Sequence, residues 1–470
     1  MFGEISKYLM IVLFAVYTFL GFAVFRKKNN KERRENIFRR QNMLMILIHL
    51  DAFLVLYDET RNTKVLLFYG AQVVFFVIVI SSYKMLYEKS SQLLVNNMCM
   101  LMAIGFIILT RLSFDLAIRQ FIIAVAAMIL GLGIPFFIKK MWFLKSMTWL
   151  FALVGLAALS MVAVLGSTSG GAKLSYDVAG ISLQFSEFVK IIFVFYVAGM
   201  LYSSKSFKQV VITTILAAAH VIVLVASKDL GGALIFFVVY LVMLYVATGQ
   251  PLYFIGGLLA GSSASVIAYK LFAHVRVRVA AWQDPLSVIN DDGYQVCQSL
   301  FAIGTGGWFG VGLYKGQPNK IPVVERDVIF SAISEEMGGI FALCLIMVCM
   351  SCFLMCLNIA MQLKDRYYKL VALGLGTIYG FQVFLTIGGV IKFIPSTGVT
   401  LPFVSYGGSS LFSSIVVFSI IQGLYILREQ EEVHHGEAGG RKQKNKKAGK
   451  REQKGKGRRD GFATEVENLR

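Results

Sequence analysis

Glu325-Arg326-Asp327-Val328-Ile329-Phe330-Ser331-Ala332-Ile333-Ser334-Glu335-Glu336-Met337-Gly338 runs from three consecutive charged side chains into an apolar segment that continues to about residue 357. A helix needs about 20 predominantly apolar residues to cross about 30 Å of hydrocarbon, so this junction reads as the point where the chain enters a bilayer. An ionisable group at such a boundary is costly to desolvate, and it marks a substrate path or reaction site more often than simple packing. At helical spacing Asp327, Ser331, Ser334, Glu335 and Gly338 keep returning to one face. That polar stripe has to line a cavity or a partner element.

The rest of the chain has the same character. Hydrophobic residues make up 57% of its 470 positions and charged residues only 16%, with a mean hydropathy of +0.67, far outside the range of soluble domains. Thirteen apolar runs are long enough to be spans: 7–25, 43–57, 65–83, 93–112, 118–138, 147–165, 186–203, 208–226, 230–247, 252–273, 328–357, 369–394 and 410–427. The second is the shortest. The expected fold is therefore an all-α polytopic membrane protein. Residues 1–90 hold three spans without a chemical motif and read as an accessory bundle. Residues 91–430 form a ten-span core, and residues 431–470 a basic, low-complexity tail too polar to build a packed core.

Positive loops stay on the cytoplasmic side. The basic loop at 26–40 is thus inside, and alternation places Lys139, Lys140, Lys145, Lys205, Lys208, Lys364, Arg366, Lys369 and the tail there too. The N-terminus and the long loop ending in Asp327 then face outside. Much of the formal charge of +19 lies in these inner loops and the tail. Contact with anionic lipid headgroups explains it better than nucleic-acid binding does.

Several other polar residues have plain structural readings. The first span lacks a small-residue cleavage site and is followed by its basic cluster, so it reads as an anchor, not a cleaved signal. Cys344, Cys349, Cys352 and Cys356 share one apolar span with no histidine beside them, which suits packing better than metal binding. Cys297 lies alone in the long outer loop. Arg111, Asp115 and Arg119 are spaced by four and read as a short charge ladder; Asp229 reads as a helix cap. Asp51 and His220 read as groups packed against another helix. The glycines at 304–316 lack the strand-turn-helix setting of a nucleotide loop and suit tight turns with a close neighbour.

Four stretches carry a resemblance. One is Gly171-Ala172-Lys173 followed by Gln184-Phe185-Ser186-Glu187-Phe188-Val189-Lys190; a second is Lys228-Asp229-Leu230-Gly231-Gly232-Ala233. The third runs from Arg278 through Asp284-Pro285, Gly293-Tyr294-Gln295 and Gln298-Ser299 to Gly310 and Gly312. The fourth runs from Ile387-Gly388 through Pro395 and Leu401-Pro402-Phe403 to Ser405-Tyr406-Gly407-Gly408-Ser409-Ser410. In this order and in a ten-span frame, they resemble the SEDS family (shape, elongation, division and sporulation), the membrane-embedded peptidoglycan polymerases of the RodA, FtsW and SpoVE kind. The chain departs from the family pattern at Leu174-Ser175, Phe185 and Thr386.

The resemblance implies an inverting glycosyltransferase that polymerises lipid II and releases undecaprenyl pyrophosphate, working with a class B penicillin-binding protein. It implies that Asp327 is the catalytic carboxylate, and that the tight turns at 304–316 lie close to a glycan. Arg278, Lys173, Lys392 and Arg326 are the outer-side cations expected near pyrophosphate, and Glu187, Lys190 and Ser405 complete the candidate substrate-binding set. Glu187 and Lys190 can equally form an intramembrane pair, and the Ser405 stretch can equally shape a re-entrant turn. A pyrophosphate leaving group needs charge neutralisation, from basic side chains or from a divalent cation such as Mg or Mn. The competing expectation is a flippase that moves the lipid-linked precursor without bond chemistry. The resemblance implies a place in cell-wall synthesis for cell shape or division.

Overall fold

The computed structural model describes residues 2–26, 31–138, 142–169, 172–178, 181–203 and 206–429; side chains at 2, 142, 167–169, 172–178 and 181–183 lie outside the description. Lys139, Lys140, Lys205 and the tail beyond 429, all assigned above to the inner side, are also outside it.

Three helices come first: α1 (Phe2–Ala23), α2 (Lys31–Thr60) and α3 (Thr63–Leu86). The remainder supplies α4 (Gln92–Leu112), α5 (Phe114–Ile138), α6 (Thr148–Leu165), α7 (Ser186–Ser203), α8 (Phe207–Ala226), α9 (Leu230–Thr248) and α10 (Pro251–Leu271). The shorter α11 (Ala273–Gln283) and α12 (Tyr294–Gly306) follow, then α13 (Ile329–Gln362), α14 (Arg366–Val390) and α15 (Gly408–Glu429). Helix starts are set by local chemistry. Asn62 accepts from Lys64 N, Ser206 from Gln209 N, Asp229 from Gly232 N and Asp365 from Tyr367 N, each cap satisfying an N–H that the first turn leaves unpaired. Gly249, at φ 70°, ends α9 in the left-handed conformation, and Pro251 opens α10.

Among the described residues twelve helices are long and apolar enough to cross a membrane, and the chain is a multi-pass membrane protein. The weakest expected span, 43–57, falls inside α2, whose apolar stretch is short and interrupted by His49 and Asp51, and α2 is not among the twelve. Even so, α2 lies antiparallel to α1 through the same depth. Ser6 Oγ donates to Asp51 Oδ2 at 2.7 Å near one end, and Gly21 packs on the Gln41 side chain near the other. Its apolar part thus packs along the length of α1. Among the described residues the only strands form a small antiparallel sheet between α6 and α7, with β1 (Ser167–Ser169), β2 (Ala172–Val178) and β3 (Ile181–Leu183) in that order.

The hub is α4, 94% buried along its span, whereas no residue of α10 is buried. One continuous apolar core runs from Met10 to Tyr425, so the accessory helices share the core of the other ten. Polar bridges cross that seam: Tyr17 donates to Asn97 and Asn96 to Gln41, while Asn97 passes on to Ser351 of α13. Asp51 and His220 behave as packed polar groups. Asp51 accepts from Ser6, and His220 lies against Leu216 O while stacking on Tyr196 and Phe236. All six cysteines are free thiols, and the described residues contain no cluster of three metal-ligating side chains.

Candidate functional site

One end of the bundle gathers the segments singled out in the sequence: the β hairpin, the starts of α7, α9, α13 and α15, and the end of α14. The fifty-odd residues before Asp327 are not open loop, since α11 and α12 give them structure. Together with the turn after α14 they enclose a recess of about 110 Å³. Asp327 lines it, with Arg278 and Trp282 from α11, Asp292 from the turn before α12, Gln295 from its first turn, and Lys392, Ser396 and Gly398 from the turn after α14.

Each wall is held in place. Arg278 donates from Nη1 to Ser396 O at 3.4 Å, and Trp282 Nε1 donates to Lys392 O at 3.1 Å, so α11 is tied to the turn at two points. Lys392 adopts φ 60°, a left-handed conformation that turns the chain sharply at the end of α14 and leaves the lysine bordering the recess. Glu325 O accepts from Tyr406 N at 2.7 Å and joins the Asp327 segment to the start of α15. Gln120 holds the same loop from α5, donating to Ser405 O and accepting from Gly407 N.

Asp327 stands two residues before α13 and is half-buried. Burial, the largest influence, raises its carboxyl above the ordinary carboxylate value. Its own backbone N–H, Arg278 and Arg326 pull it down, and Glu325 pushes it up. The net result is a carboxylate that is held near cations yet poorly solvated, a combination typical of reactive groups.

The other expected site residues divide. Arg278, Lys392 and Asp327 come together; Arg326 is exposed, beside Asp327 but off the recess wall. Lys173 falls in β2, where side chains are outside the description. Glu187, Lys190 and Ser405 take the other roles open to them, an intramembrane pair and a shaped turn. Lys190 Nζ donates to Glu187 Oε2 at 2.6 Å and to Gln382 Oε1 at 2.9 Å, and Ser413 donates to the same glutamate oxygen. Ser405 is 4% exposed and its hydroxyl accepts from Leu401 N. Their polar atoms are already engaged in holding α7, α14, α15 and the loop together.

Two corrections follow from packing. Arg111 does not join a ladder with Asp115 and Arg119, both of which are exposed. Its Nε donates to Glu336 Oε1 at 2.9 Å in a buried ion pair, its Nη2 donates to Gly316 O, and the guanidinium stacks over Tyr314. The glycine-rich turn likewise meets protein where a glycan was expected. Val311 N and Gly312 N donate to Glu335 O and Glu336 O, while Gly339 N and Ile340 N donate to Gly307 O and Trp308 O. These bonds fit because α13 is broken at Gly338 (φ 88°, ψ 167°). A Cβ on Gly306, Gly310 or Gly338 would overlap the opposing backbone. The polar stripe of α13 thus lines a partner loop, and Glu335 Oε1 accepts from Gln317 N.

The family model of FtsW, RodA and SpoVE, described as a cell cycle protein, matches residues 91–430. The chain belongs to the SEDS family. SEDS relatives include the peptidoglycan glycosyltransferase RodA of Mycobacterium tuberculosis, 35% identical over 57% of this chain and 61% of that protein. The chain thus spans about six tenths of the length of the mycobacterial relatives it matches. Stage V sporulation protein E of Bacillus subtilis is 30% identical over 66% of this chain and 86% of its own. A solved chain from a peptidoglycan synthase complex superposes with TM-score 0.61 at 23% identity, covering 73% of this chain and 99% of that one. RodA of Thermus thermophilus gives 0.54 at 22%, covering 72% and 97%. At those identities the two structures establish the SEDS fold.

Asp292, Trp282 and Gln295 were not singled out as site residues. Gln295 lies in the Gly293-Tyr294-Gln295 motif and Asp292 immediately precedes it, so the motif pointed to the wall. Nothing in the sequence pointed to Trp282.

Proposed function

We propose that this chain is a peptidoglycan glycosyltransferase that polymerises lipid II into glycan strands. The placement of Asp327 in a recess bordered by Arg278 and Lys392 carries this reading, and relatives bearing that activity in their names support it. The 4-hydroxyl of an acceptor GlcNAc attacks the anomeric carbon of a MurNAc. A glycosidic C–O bond forms, the bond to pyrophosphate breaks with inversion, and the hydroxyl proton passes to the Asp327 carboxylate. Arg278 and Lys392 meet the charge that develops on undecaprenyl pyrophosphate. Burial raises the Asp327 carboxyl and makes it a better base than an ordinary one, while Arg278 and Arg326 favour its charged form.

A divalent cation suits the donor set, because Mg²⁺ in such sites is held by one or two carboxylates together with substrate phosphates. Asp327 and Asp292, both on the recess wall, would hold it, and it would add charge neutralisation at the leaving group. Loop charge puts the N-terminus and the recess outside and the tail in the cytoplasm. The likeness to a chain of a synthase complex supports a class B penicillin-binding protein as partner, and the basic inner loops and tail meet anionic headgroups.

Purified protein with its partner, given lipid II, should form glycan strands, and Asp327→Asn should abolish them with the fold intact. Strand formation that survives the change would remove the proposal. Precursor movement across liposomes that persists in Asp327→Asn, with no polymerisation by the unmodified chain, would indicate a flippase.

A further inference from the structure

At the end of the bundle opposite the recess, α1 and α2 diverge around a groove of about 340 Å³ lined by Phe19, Leu20 and Ala23 from α1, and by Arg26, Arg33, Asn36, Ile37 and Arg40. Its position follows from α1 itself. Near the N-terminus of that helix Lys7 reaches Gly310 O and Glu4 pairs with Lys315, on the recess side. The groove lies a full helix length away, where α1 ends. Arg33, Asn36, Ile37 and Arg40 follow i, i+3, i+4, i+7 spacing, so they form one face of α2 turned toward α1.

We propose that this groove is a binding site for an anionic phospholipid, the phosphate held by Arg26, Arg33 and Arg40 and an acyl chain laid along Phe19 and Leu20. Three guanidiniums converge on the groove with no carboxylate in its lining, and among the described residues none of the three is in an ion pair. Guanidinium is the side chain best matched to phosphate oxygens. The apolar half matters equally. Phe19 is 65% exposed beside the basic patch, which suits a molecule that is charged at one end and hydrocarbon at the other; basic pockets between helices at this depth take anionic headgroups. The floor connects to the core, since Ile37 packs with Val24 and Leu93, and Asn96 of α4 donates to Phe38 O and Gln41. A lipid seated here staples the accessory hairpin to α4. The site lies outside the residues matched by the family model and does not depend on the polymerase reading.

The test uses delipidated full-length protein with phosphatidylglycerol as probe and phosphatidylcholine as control. Bound lipid is counted by native mass spectrometry, and the melting temperature is followed alongside. Phosphatidylglycerol should bind and raise the melting temperature of the unaltered chain. The double variant Arg33→Gln/Arg40→Gln should lose roughly ten- to thirty-fold in affinity and the thermal shift with it. Lys31→Gln/Arg39→Gln, which removes the same charge from residues off the groove, should lose less than about threefold. Equal losses from the two double variants would overturn the site in favour of a diffuse basic surface. Phe19→Asn should weaken the lipid but leave inorganic phosphate unaffected; no effect on the lipid would reject the acyl half of the proposal. Competition by inorganic phosphate at equal concentration would identify a free-anion site and overturn the lipid assignment, as would tighter retention of undecaprenyl pyrophosphate than of phosphatidylglycerol.

Discussion

At the residue scale the balance at Asp327 leads to two linked predictions. Burial raises its carboxyl above the usual carboxylate range, so the acidic limb of a polymerisation pH profile should lie above that of a solvated aspartate, with activity falling as pH drops through the raised value. The stability sign is opposite. A carboxyl raised in the folded state favours folding when protonated and loses that contribution as pH rises through the raised value. Asp327→Asn should therefore leave the neutral-pH melting temperature unchanged or slightly higher while polymerisation falls by at least about a hundredfold. Arg278→Gln should mimic the kinetic loss and push the Asp327 limb further upward, because an attractive charge is removed. The Arg111–Glu336 pair behaves differently. Deleting either partner strands a buried charge, and Glu336→Ala should cost about 3–5 kcal/mol of stability, read by thermal unfolding in detergent. Sequence spacing pointed Arg111 to Asp115; only the fold shows that Glu336, 225 positions away, is its partner.

At the element scale the break in α13 is the controlling feature. Gly338 lets two helical pieces meet at an angle, and the exposed carbonyls of Glu335 and Glu336 then receive the 307–312 turn. Gly310→Ala places a methyl against Glu336 O and should push the turn off α13. The expected result is loss of polymerisation and faster hydrogen exchange at 307–316, with Asp327 chemically intact. The sequence marked Gly304 to Gly316 as a tight-turn segment but misassigned what it approaches, because glycine content records room for a close neighbour and is silent on which one. Likewise α1 braces this region through Phe14, which is fully buried with its ring 4.4 Å from Phe341. Phe14→Ala should cost ~1–2 kcal/mol, less than in a soluble core, because in lipid the cavity penalty remains while most of the transfer term is absent.

At the scale of the whole molecule the expected orientation is directly measurable. Lys320→Cys, on the recess side, should react with a membrane-impermeant maleimide added to intact cells, and Lys364→Cys should react only after the membrane is opened. Five of the six native thiols are buried and the sixth partly so, which keeps the background low. The reverse labelling pattern would invert the topology and place Asp327 in the cytoplasm. Accessory and core helices share one apolar core with polar bridges across the seam. Removing residues 1–90 should therefore destabilise the remaining ten spans, visible as a lower melting temperature of the truncated chain.

Local composition and spacing alone determined the twelve long apolar helices and the capped start at Asp229, because bilayer thickness and backbone hydrogen bonding act on short stretches of chain. The thirteenth run, 43–57, forms the later part of α2 and stays outside those twelve. Only the tertiary structure decided which charged groups stay available. Lys190 and Arg111 are consumed by Glu187 and Glu336, whereas Arg278 and Lys392 are left beside Asp327. That division depends on which helices become neighbours, and long-range packing, unlike helix formation, leaves no periodic mark on the sequence.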